Sequence, residues 1–156
     1  MRHFTLVRTL CLMLALGAAG CDDDATQPAA FSGALASSSE VPPNTSAATG
    51  SATLDFDGNA NVQYRIEVNG ITGVTAAHVH SGASGANGPV RVTLFEGPAS
   101  GPMSGQLAQG SFDSGDVQGI SFEALLDELR NGTAYVNVHT TAYPDGEIRG
   151  QVRTRQ

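Results

Sequence analysis

Three histidines hold most of the chemistry this sequence offers. His78 and His80 are one residue apart in Ala77-His78-Val79-His80-Ser81-Gly82, and His139 lies in a second stretch, Tyr135-Val136-Asn137-Val138-His139-Thr140. Alternate side chains of an extended chain share a face, so His78 and His80 point the same way. A third imidazole from another strand would complete a three-nitrogen set of the kind that copper and zinc accept, with a position left for water. Glu40, Asn137 and Glu147 are candidates for orienting those rings from behind. The same residues also fit a buried polar network that pins long loops without any ion, and the sequence leaves both readings open.

Other chemistry is thinly represented. There is no Gly-x-Ser-x-Gly elbow, and Ser81 follows His80 directly, so on a strand the two face opposite sides. The Gly-rich stretch from Ser81 to Gly88 lacks the Gly-x-x-x-x-Gly-Lys pattern of a phosphate cradle and reads as a β-connection. Glu147 and Arg149 share a strand face, and surface pairing is the expectation for them. No catalytic residue is assigned.

The elements that must position the histidines are mostly strands. Phe31 to Ala36 reads as a first strand, and Pro42-Pro43 interrupts regular pairing after it. Ala52, Leu54 and Phe56 alternate with Thr53 and Asp55, then Asp57-Gly58-Asn59 turns the chain. Val62, Tyr64, Ile66 and Val68 alternate in turn with polar residues, which makes a hairpin with one buried face. After the histidine stretch, Val90 to Phe95 reads as a strand, Glu96 to Gly105 as an exposed loop and Gln106 to Phe112 as a short strand. Ser121 to Arg130 has helical spacing, places Leu125 and Leu129 on one side and ends at Asn131-Gly132. Ala134 to His139 and the stretch around Ile148, Gly150 and Val152 close the chain as strands. The pattern predicts an all-β antiparallel sandwich or open barrel with one short helix.

The first residues read as an address rather than a fold. Arg2 and Arg8, an apolar run from Thr9 to Leu16 and the small residues Gly17-Ala18-Ala19-Gly20 precede Cys21. That order is a secretory signal over 1–20, and it resembles the lipobox of bacterial lipoproteins, with Ala18 standing where Leu is usual. The resemblance makes Cys21 the lipid anchor, 21–30 a flexible tether and 31–156 the domain. Cys11 leaves with the signal, so no cysteine remains for a disulfide and the domain relies on its apolar core. The net charge of -7 and the absence of lysine exclude a basic footprint for nucleic acid.

Three stretches in order carry a resemblance: Ser39-Glu40-Val41-Pro42-Pro43, Ala77 to Ala83 with Asn87-Gly88-Pro89-Val90, and Tyr135 to Thr140 with Pro144 to Gln151. They resemble the CHRD domain over about residues 31 to 153. The resemblance implies export and an immunoglobulin-like β fold with a limited likeness to copper–zinc superoxide dismutase. Dismutase activity does not follow, because three histidines are too few for that enzyme's two-metal site. The expectation is a cell-envelope binding or structural module without catalytic activity, anchored outside the cytoplasm and facing an envelope protein or polymer. The alternative is a copper- or zinc-binding protein or metalloenzyme using the three histidines.

Overall fold

Among the described residues, period-two alternation becomes seven strands, all paired antiparallel, and one α-helix. A computed structural model describes residues 27–155; the expected signal sequence, the expected lipid site at Cys21 and most of the expected tether lie outside them. The strands are β1 (Ala29–Ala36), β2 (Thr49–Phe56), β3 (Val62–Ser81), β4 (Val90–Phe112), β5 (Ala134–Thr140), β6 (Ile148–Gln151) and β7 (Arg153–Thr154), and the helix α1 is Phe122–Asn131. β1 begins at Ala29, inside the stretch read as tether, because Ala29 and Ala30 pair with Phe56 and Asp55 of β2.

One long strand organises the sheet. The first half of β3 pairs with β2, from Val62↔Phe56 to Asn69↔Thr49. Its second half pairs with β5, from Val74↔Thr140 to Ser81↔Ala134. Between the halves Gly70 and Gly73 adopt φ of 67° and 68°, a backbone region that suits glycine, and the strand changes partners there. The order β2-β1-β6-β5-β3-β4, with β2 also pairing β3, closes the sheet into a barrel-like arrangement. This is the all-β fold with one short helix expected from the sequence.

The expected loop from Glu96 to Gly105 is instead strand: β4 follows β3 through Ala76↔Glu96, Val74↔Ala99, Thr72↔Pro102 and Ile71↔Met103. Pro98 and Pro102 are tolerated because β4 ends the strand order and pairs on one side only, so a missing donor can face solvent.

The core gathers apolar positions of β1 to β6, among them Phe31, Leu54, Ile66, Ile71, Val79, Val92, Val136, Val138 and Ile148. Helix α1 covers it with Phe122, Leu125, Leu126 and Leu129. Each fully buried leucine contributes about 2 kcal/mol of transfer free energy. Ser121 caps the helix, its Oγ accepting from the Ala124 N–H at 3.1 Å, and Gly132 ends it in the left-handed region at φ 67°.

Candidate metal centre

Register decides what meets on the polar side of β3, β5 and β6. His80 pairs with Tyr135, and Tyr135 with Gln151; His78 pairs with Asn137, and Asn137 with Arg149; His139 pairs with Ala76. Cross-strand partners project to the same face. His139 therefore lies diagonal to His78, and the three imidazoles converge. Ring centroids are 5.1 Å apart for His78 and His139, 5.6 Å for His78 and His80, and 6.0 Å for His80 and His139.

Two of the rings are fixed in tautomer by the backbone. Nδ1 of His80 lies 2.9 Å from the Gly88 carbonyl oxygen, and Nδ1 of His139 lies 2.9 Å from that of Pro144. A carbonyl only accepts, so each Nδ1 carries the hydrogen and, in the neutral ring, each Nε2 keeps its lone pair. Those two Nε2 atoms and Nδ1 of His78 are buried with no hydrogen-bond partner. One ligand atom from each ring falls within 4.8 Å of the other two. Unpartnered buried polar atoms are uncommon and costly, and a cation among three clustered imidazoles would satisfy them.

The electrostatics of His78 and His80 favour the neutral form, the one a metal ion would need. Burial, then the charges of His139 and His80, lowers the His78 pKa to about 4. Burial also lowers that of His80, against the Gly88 carbonyl, which raises it; the charges of His139 and Arg149 lower it further. Neutral imidazole is the ligating species.

The orienting bonds on His80 and His139 come from backbone carbonyls, and none of the hydrogen bonds of Glu40, Asn137 or Glu147 goes to a histidine ring. Asn137 donates through Nδ2 to Glu40 Oε2 across a long 3.5 Å, while Glu40 Oε1 and Asn137 Oδ1 are buried without partners. Glu147 accepts from Ser46 Oγ and from Thr140 Oγ1, both at 2.6 Å, and so ties two loops together. Ser81 Oγ donates to Glu128 at 2.5 Å and accepts from Arg91 Nε at 2.6 Å, away from the rings.

The expected surface pairing of Glu147 and Arg149 is not observed. They are 6% and 2% exposed, respectively. The Arg149 guanidinium donates to Asn87 Oδ1 at 2.9 Å and the Ala86 carbonyl at 2.6 Å, and lies 3.5 Å over the Tyr135 ring. Burial of this charge is possible because the 82–89 loop folds back to solvate it. Tyr135 and the Gly88 and Pro144 carbonyls carry no role in the sequence reading, and Arg149 carries only that of a surface pair. The alternation of Tyr135 with Asn137 and of Arg149 with Gln151 was the available signal for this shared face.

The comparisons agree with this sequence pattern. The CHRD domain family profile matches residues 31–152. The chain is similar to chordin of Xenopus laevis, 32% identical over 119 residues, covering 71% of this chain and 12% of that protein. It is similar to chordin of Danio rerio, 34% identical over 129 residues, covering 80% of this chain and 13% of that protein. No solved structure matches the chain. An all-β domain with these three stretches in order defines the class, and the chain belongs to the CHRD domain family. It spans roughly an eighth of the length of these chordins, whose other parts have no counterpart in the match.

Proposed function

We propose that the protein is a non-catalytic binding module outside the cytoplasm, tethered to a membrane through Cys21, and that its ligand is a zinc or copper ion held by His78, His80 and His139. One observation carries the ligand: a ring nitrogen of each histidine falls within 4.8 Å of one from each of the others, and each ring keeps a buried nitrogen without a protein partner. In a purely structural polar network these atoms would be hydrogen-bonded to one another or to neighbours. A set of neutral nitrogens without thiolate or carboxylate suits borderline ions such as zinc and copper. Ser81 is turned away from the histidines and held by Glu128 and Arg91, which supports binding without a covalent nucleophile. The Arg-apolar-small-Cys order of the first residues supports export and the tether.

Elemental analysis and titration with zinc and with copper test the ligand. One ion per chain is expected, lost in His78→Ala/His80→Ala with the far-ultraviolet circular dichroism unchanged. Undiminished affinity in that variant, or no stoichiometric binding in the parent chain, would refute it. Cys21→Ser is expected to move the protein from the membrane fraction to the soluble one, and an unchanged distribution would refute the tether.

A further inference from the structure

Three loops cover the polar face, and their contacts form a chain. Loop 82–89 reaches loop 40–44 through Asn87, whose Nδ2 donates to the Val41 carbonyl at 2.9 Å. Loop 40–44 reaches loop 141–147 through Asn44, whose Nδ2 donates to the Glu147 carbonyl at 3.0 Å and to the Gly146 carbonyl at 3.3 Å. The two ends of this chain are the loops whose carbonyls hold the histidines: Gly88 on His80 and Pro144 on His139. Between loop 40–44 and residues 142–146 lies a cleft of about 220 Å³, walled by Val41, Pro42, Pro43, Tyr143 and Pro144. Each wall is thus one or two hydrogen bonds from a histidine.

We infer that an ion at His78, His80 and His139 closes these contacts into a ring and so controls the order of both walls of the cleft; this rests on the metal reading above. Coordination through Nε2 withdraws electron density from the imidazole and makes Nδ1–H a stronger donor to the Gly88 and Pro144 carbonyls. It also fixes the rings that those carbonyls grip. The ion therefore binds the ordered loops better than loosened ones, and that difference in affinity lets it shift the loop equilibrium. By linkage, an occupant of the cleft that favours the ordered walls raises the affinity for the ion by the same factor. Nδ1 of His78, unlike Nδ1 of His80 and of His139, is buried with no hydrogen-bond partner, so His78 joins the ring through the ion.

Hydrogen exchange followed by mass spectrometry, on the full chain with and without zinc, tests this. Zinc is expected to slow exchange about tenfold in the segments 82–89, 141–147 and 41–46, within the usual range of coupling between sites. The distal turn at 57–61 is expected to be unaffected, since none of its hydrogen bonds reaches these loops. In Asn44→Ala/Asn87→Ala zinc should still bind, and 41–46 alone should lose its response. Stoichiometric zinc binding with unchanged exchange in the three loops overturns the inference and leaves the metal site standing, as does equal slowing at 57–61, which would mean general stabilisation. Failure to bind zinc or copper at all removes the metal reading itself, and the inference falls with it.

Discussion

The guanidinium of Arg149 lies 3.5 Å from the centroid of the Tyr135 ring, and the same ring stacks on His80 with centroids 4.8 Å apart and planes within 10°. Tyr135 also accepts from the Gly88 N–H through its hydroxyl, at 3.2 Å. One residue pair thus links the buried cation, a metal-ligand candidate and the loop that anchors that ligand. Arg149→Met removes the donors to Asn87 and Ala86 and the contact with Tyr135, and is expected to cost about 2–4 kcal/mol of stability. Arg149→Lys keeps the charge without the planar fork and should recover only part of it. Urea unfolding at pH 7 measures both, and a loss below about 0.5 kcal/mol for Arg149→Met would place it with ordinary surface changes.

Gly88→Ala should damage the fold and the site together. A Cβ there would stand 1.7 Å from the Ser81 carbonyl oxygen, so the loop must move and the Gly88 carbonyl leaves His80. Overpacking of this kind costs about 1–3 kcal/mol. Loss of a partner that orients a ligand weakens metal binding about 10–100-fold. Thermal unfolding and zinc titration of the same sample separate the two effects; unchanged affinity in a folded variant would show that the Gly88 carbonyl does not orient His80.

Stability of the ion-free protein should peak in mildly acidic solution. Burial pushes the Glu40 carboxyl up to about 7 from 4.5, against the charge of Arg149 and the Asn137 amide, which lower it. The folded state then binds more protons than the unfolded one across that window, so stability falls as pH rises from about 4.5 through 7. His78 has the opposite sign: its folded pKa is about 4 against 6.5, so its contribution is present above 6.5 and is lost as pH falls through 4. His80, also lowered, acts in the same direction as His78. Glu40→Gln should flatten the neutral limb and His78→Ala should weaken the acidic one, read from urea midpoints between pH 4 and 8. A Glu40→Gln profile parallel to that of the parent chain would contradict the assignment.

Ser121→Ala separates helix stability from the site. It removes the acceptor for the Ala124 N–H and is expected to cost about 1 kcal/mol. The helix packs its leucines into the core and supplies no ligand atom, so zinc affinity should be unchanged. A shift in affinity beyond threefold would show that the helix is coupled to His80 through Glu128 and Ser81.

Much of the fold was legible because its signals are local. Alternation of Leu54 and Phe56, and of Val62, Ile66 and Val68, predicted the hairpin strands, and Asp57-Gly58-Asn59 their turn. Ser121 and Gly132 marked the helix ends by the conformations their neighbours require. His78 and His80 share a face because a strand has a period of two, which needs no knowledge of partners.

Tertiary structure decided the rest. Whether His139 reaches the pair depended on β5 joining the second half of β3 in one register, and a slip by one residue would have turned it to the other face. The stretch from Glu96 to Gly105 carries the Gly and Pro of a loop, yet β3 supplies the partners that make it a strand. Arg149 looked like a surface residue because its type predicts exposure; loop 82–89, more than sixty positions away, brings the oxygens that make its burial tolerable. The sequence by itself determined most of the strands, the helix and the paired histidines, since these follow from neighbours along the chain. Only the closed sheet determined the third histidine, the carbonyls behind the rings and the buried arginine, because each depends on groups that the chain places together by folding.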